Sequence, residues 1–192
     1  KTERDRLATK KVFSAQGGLS QLTHAMAEAI GNDHITLSAS DVTIQPQAGK
    51  WLVTFSTPSG VQSIWAKKVI TTTGSYTLPH LLPFIPQELM DKLNNLYYAP
   101  IVQASVGFHD TKGLRFEAFG GLVPSQEKRN ILGILFPSAC FSGRSPKEGA
   151  LFSFFIGGVK HTEFTTWPED KLKALIEKEV HSMLKFPKDV KP

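Results

Sequence analysis

The chain is poor in the residues that hold metals and disulfides. It has one cysteine, Cys140, so a disulfide framework and a cysteine-based zinc site are both excluded. Its six histidines are scattered, and no two stand at the HxxxH or HExxH spacing that would aim a pair of imidazoles at one metal. The sequence therefore predicts no metal site.

Long apolar runs are also missing. No segment approaches the roughly 20 apolar residues that a membrane-spanning helix needs. The N-terminus, KTERDRLATKK, lacks the apolar centre of a signal peptide and starts with Lys rather than Met. We therefore expect this chain to be a piece of a longer protein, and the family resemblance described below implies that it is the central portion. No Gly-x-Gly-x-x-Gly motif occurs, so the turn on which a dinucleotide-binding helix holds a pyrophosphate is missing.

The remaining composition is ordinary for a globular protein. The 192 residues are 41% hydrophobic and 20% charged, which allows one sizeable core or two small ones. The formal net charge is +5, and we expect residues 1–11 to form a flexible basic segment. No folded motif mixes basic and exposed aromatic residues, so nucleic acid is not predicted as a partner. The cations crowd the two ends of the chain: Lys1, Arg4, Arg6, Lys10, Lys11, Lys185, Lys188 and Lys191.

Residues 12–80 are predicted to form a helix followed by an antiparallel meander. Alternating segments separated by turns predict strands over 35–37, 42–45, 51–55 and 61–65, with a short buried strand over 68–73 that ends at Gly74. The helix follows a Gly-Gly turn and stops at Gly31. Its predicted buried face carries Leu19, Leu22, Met26, Ala29 and Ile30.

Residues 81–192 are predicted to form a phenylalanine-rich sheet with helices beside it. A change of composition around residues 74–86 marks the expected boundary, and eleven of the 13 phenylalanines lie at or beyond residue 84. Strands are predicted over 102–108, 131–136 and 151–156. A final helix begins near Trp167-Pro168, with a capping box formed by Thr166 and Glu169. Its predicted buried face carries Leu172, Leu175, Ile176, Glu179 and Met183. The predicted fold class is α+β, with antiparallel or mixed sheets and flanking helices.

Four short pieces of the second part occur in a recognisable order. None is specific alone, but together they resemble the substrate half of the protoporphyrinogen oxidases, flavoproteins of haem biosynthesis related to the amine oxidases. The resemblance extends over nearly all of residues 12–184. The pieces are Phe119-Gly120-Gly121-Leu122-Val123-Pro124 with Glu127, Leu132-Gly133-Ile134-Leu135-Phe136, Arg144-Ser145-Pro146 and Phe155-Ile156-Gly157-Gly158.

The resemblance implies an FAD enzyme that removes six hydrogens from a porphyrinogen and passes them through the flavin to oxygen or another acceptor. It makes 12–80 a partial FAD-binding piece and 81–192 a portion of the substrate-binding domain. Val42 and Thr72 match cofactor-binding positions of the family, and most other FAD contacts would lie outside this chain. The chain alone is expected to be inactive. After Thr72 the chain departs from the family, because Gly74 stands where proline is usual and would relax the turn.

The resemblance also implies four substrate-binding residues: Gly120, Leu122, Leu135 and Phe155. All four are packing or positioning residues, and no catalytic residue is predicted, because no His, Asp or Glu stands out as a general base. Because side chains alternate along a strand, Phe155 is expected on the opposite face from the core residues Phe154 and Ile156. Phe155 and Leu135 would then share an apolar wall with Ile131, on which Gly133 leaves room for a flat group.

Three interpretations stay open. In the first, the parent protein is a porphyrinogen oxidase, and protoporphyrinogen and coproporphyrinogen are both compatible as substrates. In the second, it is another amine-oxidase-like flavoprotein that acts on amines or carotenoid precursors, and in the third the chain is a stand-alone α+β binding module. The first implies a cytoplasmic enzyme, with or without peripheral association at the inner membrane, whose oligomeric state the sequence leaves open.

Overall fold

The computed structural model describes residues 2–3, 6, 13–187 and 189–192. The chain divides into two compact units, Lys1–Tyr97 and Tyr98–Pro192. The described residues of each unit form a small antiparallel sheet with helices beside it, which confirms the α+β class. Most of the predicted basic segment 1–11 lies outside the described residues. No helix among the described residues is long and apolar enough to cross a membrane.

The first unit contains the predicted helix and meander. Helix α1 spans Ser20–Ile30, and a 3-10 turn, Asn32–His34, follows it. Strands β1 (Ser40–Gln47), β2 (Lys50–Thr57) and β3 (Gly60–Ala66) form a sheet in the order β1-β2-β3. Ala48 and Gly49 both have positive φ in the β1–β2 loop, as a two-residue hairpin turn with the correct twist requires. The predicted segment 35–37 is not a strand.

The apolar face of α1 is correctly predicted but not buried. Helix α1 ends as expected at Gly31, whose N–H donates to the Ala27 carbonyl and whose φ of 89° suits glycine. No residue of α1 is buried, and the larger side chains of the stripe are more than half exposed: Leu19, Leu22, Met26 and Ile30. Helical spacing shows which residues share a face, but burial also needs an apolar partner, and the described residues provide none here.

The remainder of the first unit packs on the meander. It comprises a 3-10 turn, Ser75–Thr77, and the helices α2 (Leu78–Leu81) and α3 (Gln87–Asn94). Helix α2 contacts β1. The first unit extends to Tyr97, whereas the sequence set the boundary near residue 80. The small core consists of Ile44, Phe55, Leu81 and Met90.

The predicted buried strand over 68–73 is wrong. These residues have no strand assignment, and Ile70 is 88% exposed. The run of β-branched residues has the composition of a strand, but no described strand lies beside it to pair with its backbone.

The second unit is built on a four-stranded antiparallel sheet. Its strands are β4 (Ile101–Phe108), β5 (Gly120–Leu122), β6 (Gly133–Leu135) and β7 (Ala150–Gly157). Their order is β4-β7-β6-β5. Strands β4, β6 and β7 occur where alternation and apolar runs predicted them. Short elements join them: 3-10 turns at Ser125–Glu127 and Thr162–Thr166, and helix α4 at Pro137–Cys140.

One face of this sheet packs against helix α5, Glu169–Leu184. The core joins Phe152, Phe154 and Ile156 of β7, all 0% exposed, to Ile176 and Val180 of α5. Phenylalanine rings fill the remaining space in stacked and edge-on pairs: Phe108, Phe116, Phe136, Phe152 and Phe186. The predicted helix face is thus confirmed. The capping box is wrong, because Thr166 Oγ1 donates to the Glu163 carbonyl and Pro168 stands at the N-cap.

Candidate functional site

An apolar cavity of about 680 Å³ lies against β5, β6 and β7 in the second unit. It contains all four residues that the resemblance marked as substrate-binding: Gly120, Leu122, Leu135 and Phe155. These residues are up to 35 positions apart in the chain, and strand pairing brings them together. The full lining is Ile101, Phe119, Gly120, Gly121, Leu122, Leu132, Gly133, Ile134, Leu135 and Phe155.

Register places the two large wall residues. Phe155 of β7 lies opposite Gly133 of β6, and Leu135 lies opposite Ser153. Phe154, the neighbour of Phe155, is fully buried in the core, whereas Phe155 is only partly buried. The alternation predicted for β7 is therefore confirmed: one face of the strand belongs to the core and the other meets the cavity.

Gly133 does not open the wall in the way that the sequence indicated. A Cβ built on Gly133 would lie 2.7 Å from the Gly121 carbonyl oxygen and 3.4 Å from the Leu122 Cα. The room left by the missing side chain is therefore taken by the backbone of β5. Gly133 allows β5 to approach closely, and Leu122, with its side chain 91% exposed, projects from that strand.

Gly120 has a backbone that other residues rarely adopt. Its φ is 148°, and a Cβ would collide with the Ile134 carbonyl oxygen and lie 2.8 Å from the Leu135 Cα. Gly121 has nothing within 4 Å of its would-be Cβ. The first glycine is thus required by close approach of two strands, and the second presents bare backbone to the cavity.

Ile131 is not part of the wall, contrary to the prediction. It is 3% exposed and belongs to the core, and Leu132 lines the cavity instead. The backbone around Leu132 explains the change, because its N–H donates to the Phe155 carbonyl at 2.7 Å and its carbonyl accepts from Val123. Residue 131 precedes β6 at Gly133, so strict alternation does not extend back to it.

Ile101 and Leu132 are among the lining residues that the sequence did not assign to the site. Ile101 opens β4 and pairs with Gly157. Both side chains approach Gly158, where a Cβ would lie 3.3 Å from a Leu132 methyl carbon and 3.9 Å from Ile101 Cδ1. No local pattern marks this meeting, because Leu132 precedes β6, and β6 is not a neighbour of β4 in the sheet. The Gly-Gly pair that ends β7 was the available signal.

The cavity lining holds no titratable side chain. The groups with shifted pKa values lie on the exposed surface instead. A hydrogen bond from Lys112 lowers the pKa of Asp110, and one from Lys173 lowers the pKa of Glu169. The cavity therefore suits an apolar ligand that is held by shape and contact, not one on which its walls act as acid or base.

A second cleft, which we call the basic cleft, lies at the end of this wall. It has a volume of about 490 Å³ and shares Leu132 with the apolar cavity. Its basic side chains are Lys128, Arg129, Lys160 and His161, and the described residues of its lining include no Asp or Glu. The described residues contain no group of three or more His, Cys, Asp or Glu that could hold a metal ion.

Val42, predicted to contact the cofactor, lies in the first unit at an irregularity of β1. The register passes from Ser40 opposite Ser56 to Thr43 opposite Thr54, so Asp41 and Val42 face a single residue of β2. Asp41 has a φ of 50°. Such a bulge leaves backbone groups outside the ladder, which fits a contact made through the backbone of Val42.

Thr72, the second predicted cofactor residue, is exposed in an irregular segment after β3. Gly74, two residues later, does not relax a turn there: its φ of −62° and ψ of 146° are values that proline also adopts. A Cβ on Gly74 would collide with the Tyr76 ring. The glycine therefore makes space for that ring. Thr77 fixes the segment, since its hydroxyl donates to the Gly74 carbonyl at 2.8 Å.

Comparison with curated proteins gives relatives of one kind. The chloroplastic protoporphyrinogen oxidase of Oryza sativa subsp. japonica is 30% identical over 199 residues, which cover 97% of this chain and 37% of the relative. Its counterpart in Nicotiana tabacum is 27% identical, with 94% and 34% covered. The chain thus spans between a third and two fifths of the length of these relatives.

Comparison with solved structures agrees on the fold. A provisionally assigned protoporphyrinogen oxidase from Exiguobacterium sp. 255-15 superposes with a TM-score of 0.77 at 16% identity, covering 98% of this chain and 40% of the other. Wild-type putrescine oxidase bound to putrescine gives 0.67 at 16% identity, with 88% and 35% covered. At such identity these likenesses concern the fold alone. The family model of the flavin containing amine oxidoreductases matches residues 3–192, and the chain belongs to that family.

Proposed function

We propose that this chain is the substrate-facing part of an FAD-dependent porphyrinogen oxidase, acting on protoporphyrinogen or coproporphyrinogen. The observation that supports the proposal most is the convergence of Gly120, Leu122, Leu135 and Phe155 on one apolar cavity. The resemblance to the family marks these same four positions as substrate-binding. Curated relatives named protoporphyrinogen oxidase support the same substrate class.

The chain's own residues act by shape in this proposal. When bound, the flavin supplies the acceptor for the hydrogens removed from the substrate. Phe155 and Leu135 provide the apolar surface on which a flat ring system rests, and the bare backbone at Gly121 lets it come close. Leu122 and Phe119, both largely exposed, would lose contact with water when the macrocycle is bound. This burial favours binding, because apolar surface of both the protein and the macrocycle is removed from water.

The described residues fit a flavin nucleotide in part. The bulge at Val42 offers backbone groups outside the strand ladder, which suits a contact with the nucleotide. The chain has no Gly-x-Gly-x-x-Gly turn to hold the pyrophosphate. Residues beyond this chain would therefore supply most of the cofactor site, and we propose that the 192 residues alone neither bind FAD tightly nor turn over substrate.

Membership of the flavin containing amine oxidoreductase family raises a second candidate, an amine oxidase. An ammonium group that leaves water needs a compensating negative charge or hydrogen bonds. The cavity lining contains no carboxylate and no polar side chain. The described part of the site is thus better matched to a broad apolar substrate than to a cationic one.

The proposal is tested on the complete protein that carries this chain. Purified protein should be yellow with a flavin absorbance spectrum and should oxidise a porphyrinogen faster than a monoamine or a polyene. Replacing Phe155 by Ala should reduce porphyrinogen turnover by about tenfold or more, because a ring contact to the substrate is lost. Preferential oxidation of the monoamine would identify the amine oxidase instead, and protein that stays colourless after reconstitution with FAD would exclude both.

A further inference from the structure

The lining of the basic cleft combines basic side chains with apolar ones. The apolar lining residues are Val123, Ile131, Leu132 and Val159. The basic lining residues are Lys128, Arg129, Lys160 and His161. The cleft begins where the apolar cavity ends: Val123 directly follows Leu122, and its N–H donates to the Leu132 carbonyl at 2.9 Å. A ligand lying on the wall would therefore reach this cleft with its edge.

Two of the four basic residues already contact carboxylates of the protein. The guanidinium of Arg129 lies 3.0 Å from Glu179 Oε2, and that carboxylate is almost completely buried. His161 Nδ1 lies 3.2 Å from Glu163 Oε1. These contacts satisfy the two side chains within the protein, so they add little net charge to the cleft.

Lys128 and Lys160 are not neutralised in this way. Lys160 donates to the Ser125 hydroxyl at 3.2 Å, and neither ammonium has a carboxylate partner within ion-pair distance among the described residues. Lys128 is exposed at the end of the 3-10 turn, with a φ of 51°, and lines the cleft. Two unneutralised ammonium groups beside an apolar lining match an anionic group carried on an apolar body.

We propose that the basic cleft binds the carboxylates of the substrate, with Lys128 and Lys160 as the residues that determine specificity. The inference rests on the proposed function, because porphyrinogens carry carboxylate side chains at the edge of a flat apolar ring. The ring lies on the wall formed by Leu135 and Phe155, and a carboxylate reaches past Leu132 to the two ammonium groups. The lysines fix the orientation of the ring and favour substrates that carry free carboxylates.

Binding of stable porphyrins tests the orientation directly. Mesoporphyrin IX, which has two carboxylates, is titrated against the complete flavin-loaded protein by fluorescence quenching, with its dimethyl ester as the uncharged probe. The wild-type protein should prefer the diacid. In the double variant Lys128→Gln, Lys160→Gln the diacid should bind about fivefold to tenfold more weakly, with no change for the ester. The preference should also decline as salt is added. Lys147→Gln, an exposed lysine outside both cavities, is the matched control.

Turnover provides a second readout. In the double variant the KM for porphyrinogen should rise with kcat unchanged, as expected when uniform binding energy is lost. Equal affinity for diacid and ester in the wild-type protein, or an unchanged preference in the double variant, would overturn the inference while leaving the proposed function intact. Loss of binding to anionic lipid vesicles in the double variant, with porphyrin binding unchanged, would assign the cleft to a membrane surface. A wild-type protein that binds no porphyrin and oxidises no porphyrinogen would refute the proposed function and this inference together.

Discussion

The neighbours Phe154 and Phe155 offer a test in which residue type and strand are held constant. Phe154 is 0% exposed in the core, and Phe155 lines the apolar cavity on the other face of β7. Each is replaced by alanine in turn. Phe154→Ala should strongly destabilise the second unit, and Phe155→Ala should affect ligand binding more than stability.

The magnitudes follow from burial. Truncating a fully buried phenylalanine costs about 3–5 kcal/mol in free energy of unfolding, because a cavity remains in the core. Phe155 already has one side open, so its truncation should cost about 1–2 kcal/mol. With a urea dependence of about 1–3 kcal/mol per molar, the two midpoints should differ by about 1–2 M.

Urea unfolding of the 192-residue chain, followed by fluorescence, measures this difference. Trp167 packs edge-on against Phe164 at 4.6 Å and reports on the second unit, so Trp51 and Trp65 of the first unit are replaced by phenylalanine in the test background. In the complete protein, Phe155→Ala should weaken mesoporphyrin binding, and whatever Phe154→Ala protein folds should bind normally. Equal midpoint shifts for the two variants, with unimpaired porphyrin binding by Phe155→Ala, would make Phe155 a core residue and refute the argument.

Three further predictions concern backbone, ion pair and pH. Gly120→Ala should destabilise the second unit by about 2–4 kcal/mol, because alanine is strained at a φ of 148° and its Cβ would collide with β6. Gly121→Ala should change the free energy of unfolding by no more than about 0.5 kcal/mol. Urea unfolding midpoints compare the two variants, and similar shifts would contradict the geometry. Glu179→Gln should cost about 1–3 kcal/mol, because it leaves a half-buried guanidinium unpaired, and a thermal midpoint equal to wild type would contradict this. The lowered pKa of Glu169, caused first by the hydrogen bond from Lys173, means that its contribution to stability is present above the ordinary value and is lost as pH falls through the folded pKa. In an NMR titration Lys173→Ala should move the pKa of Glu169 upward, and an unchanged midpoint would show that the ion pair is not formed.

The four-stranded sheet shows how far local pattern carries. Alternation in β4 and β7 identified the faces of both strands correctly, since a strand with one buried face must repeat every two residues. The run of Phe152, Phe154 and Ile156 was correctly assigned to the core. The same rule failed for Ile131, because a loop precedes β6 and alternation holds only within a strand.

Burial was the least predictable property. The apolar stripe on α1 and the β-branched run at 68–73 both predicted buried elements, yet neither is covered among the described residues. Periodicity records which side chains share a face, and only a neighbouring element decides whether water reaches them. Capping at α5 failed for a related reason, since the Thr166 hydroxyl found a nearer acceptor in its own turn.

The sequence by itself determined the α+β class, the strands of the second unit, and four site positions through their likeness to a known family. Tertiary structure alone decided that these four positions line a single cavity, because antiparallel pairing joins residues as distant as Gly120 and Phe155. It also decided what the glycines do. Gly133 gives room to the backbone of β5, and Gly74 gives room to the ring of Tyr76. A glycine in a sequence signals an absent side chain, and only the folded neighbours show what occupies the space.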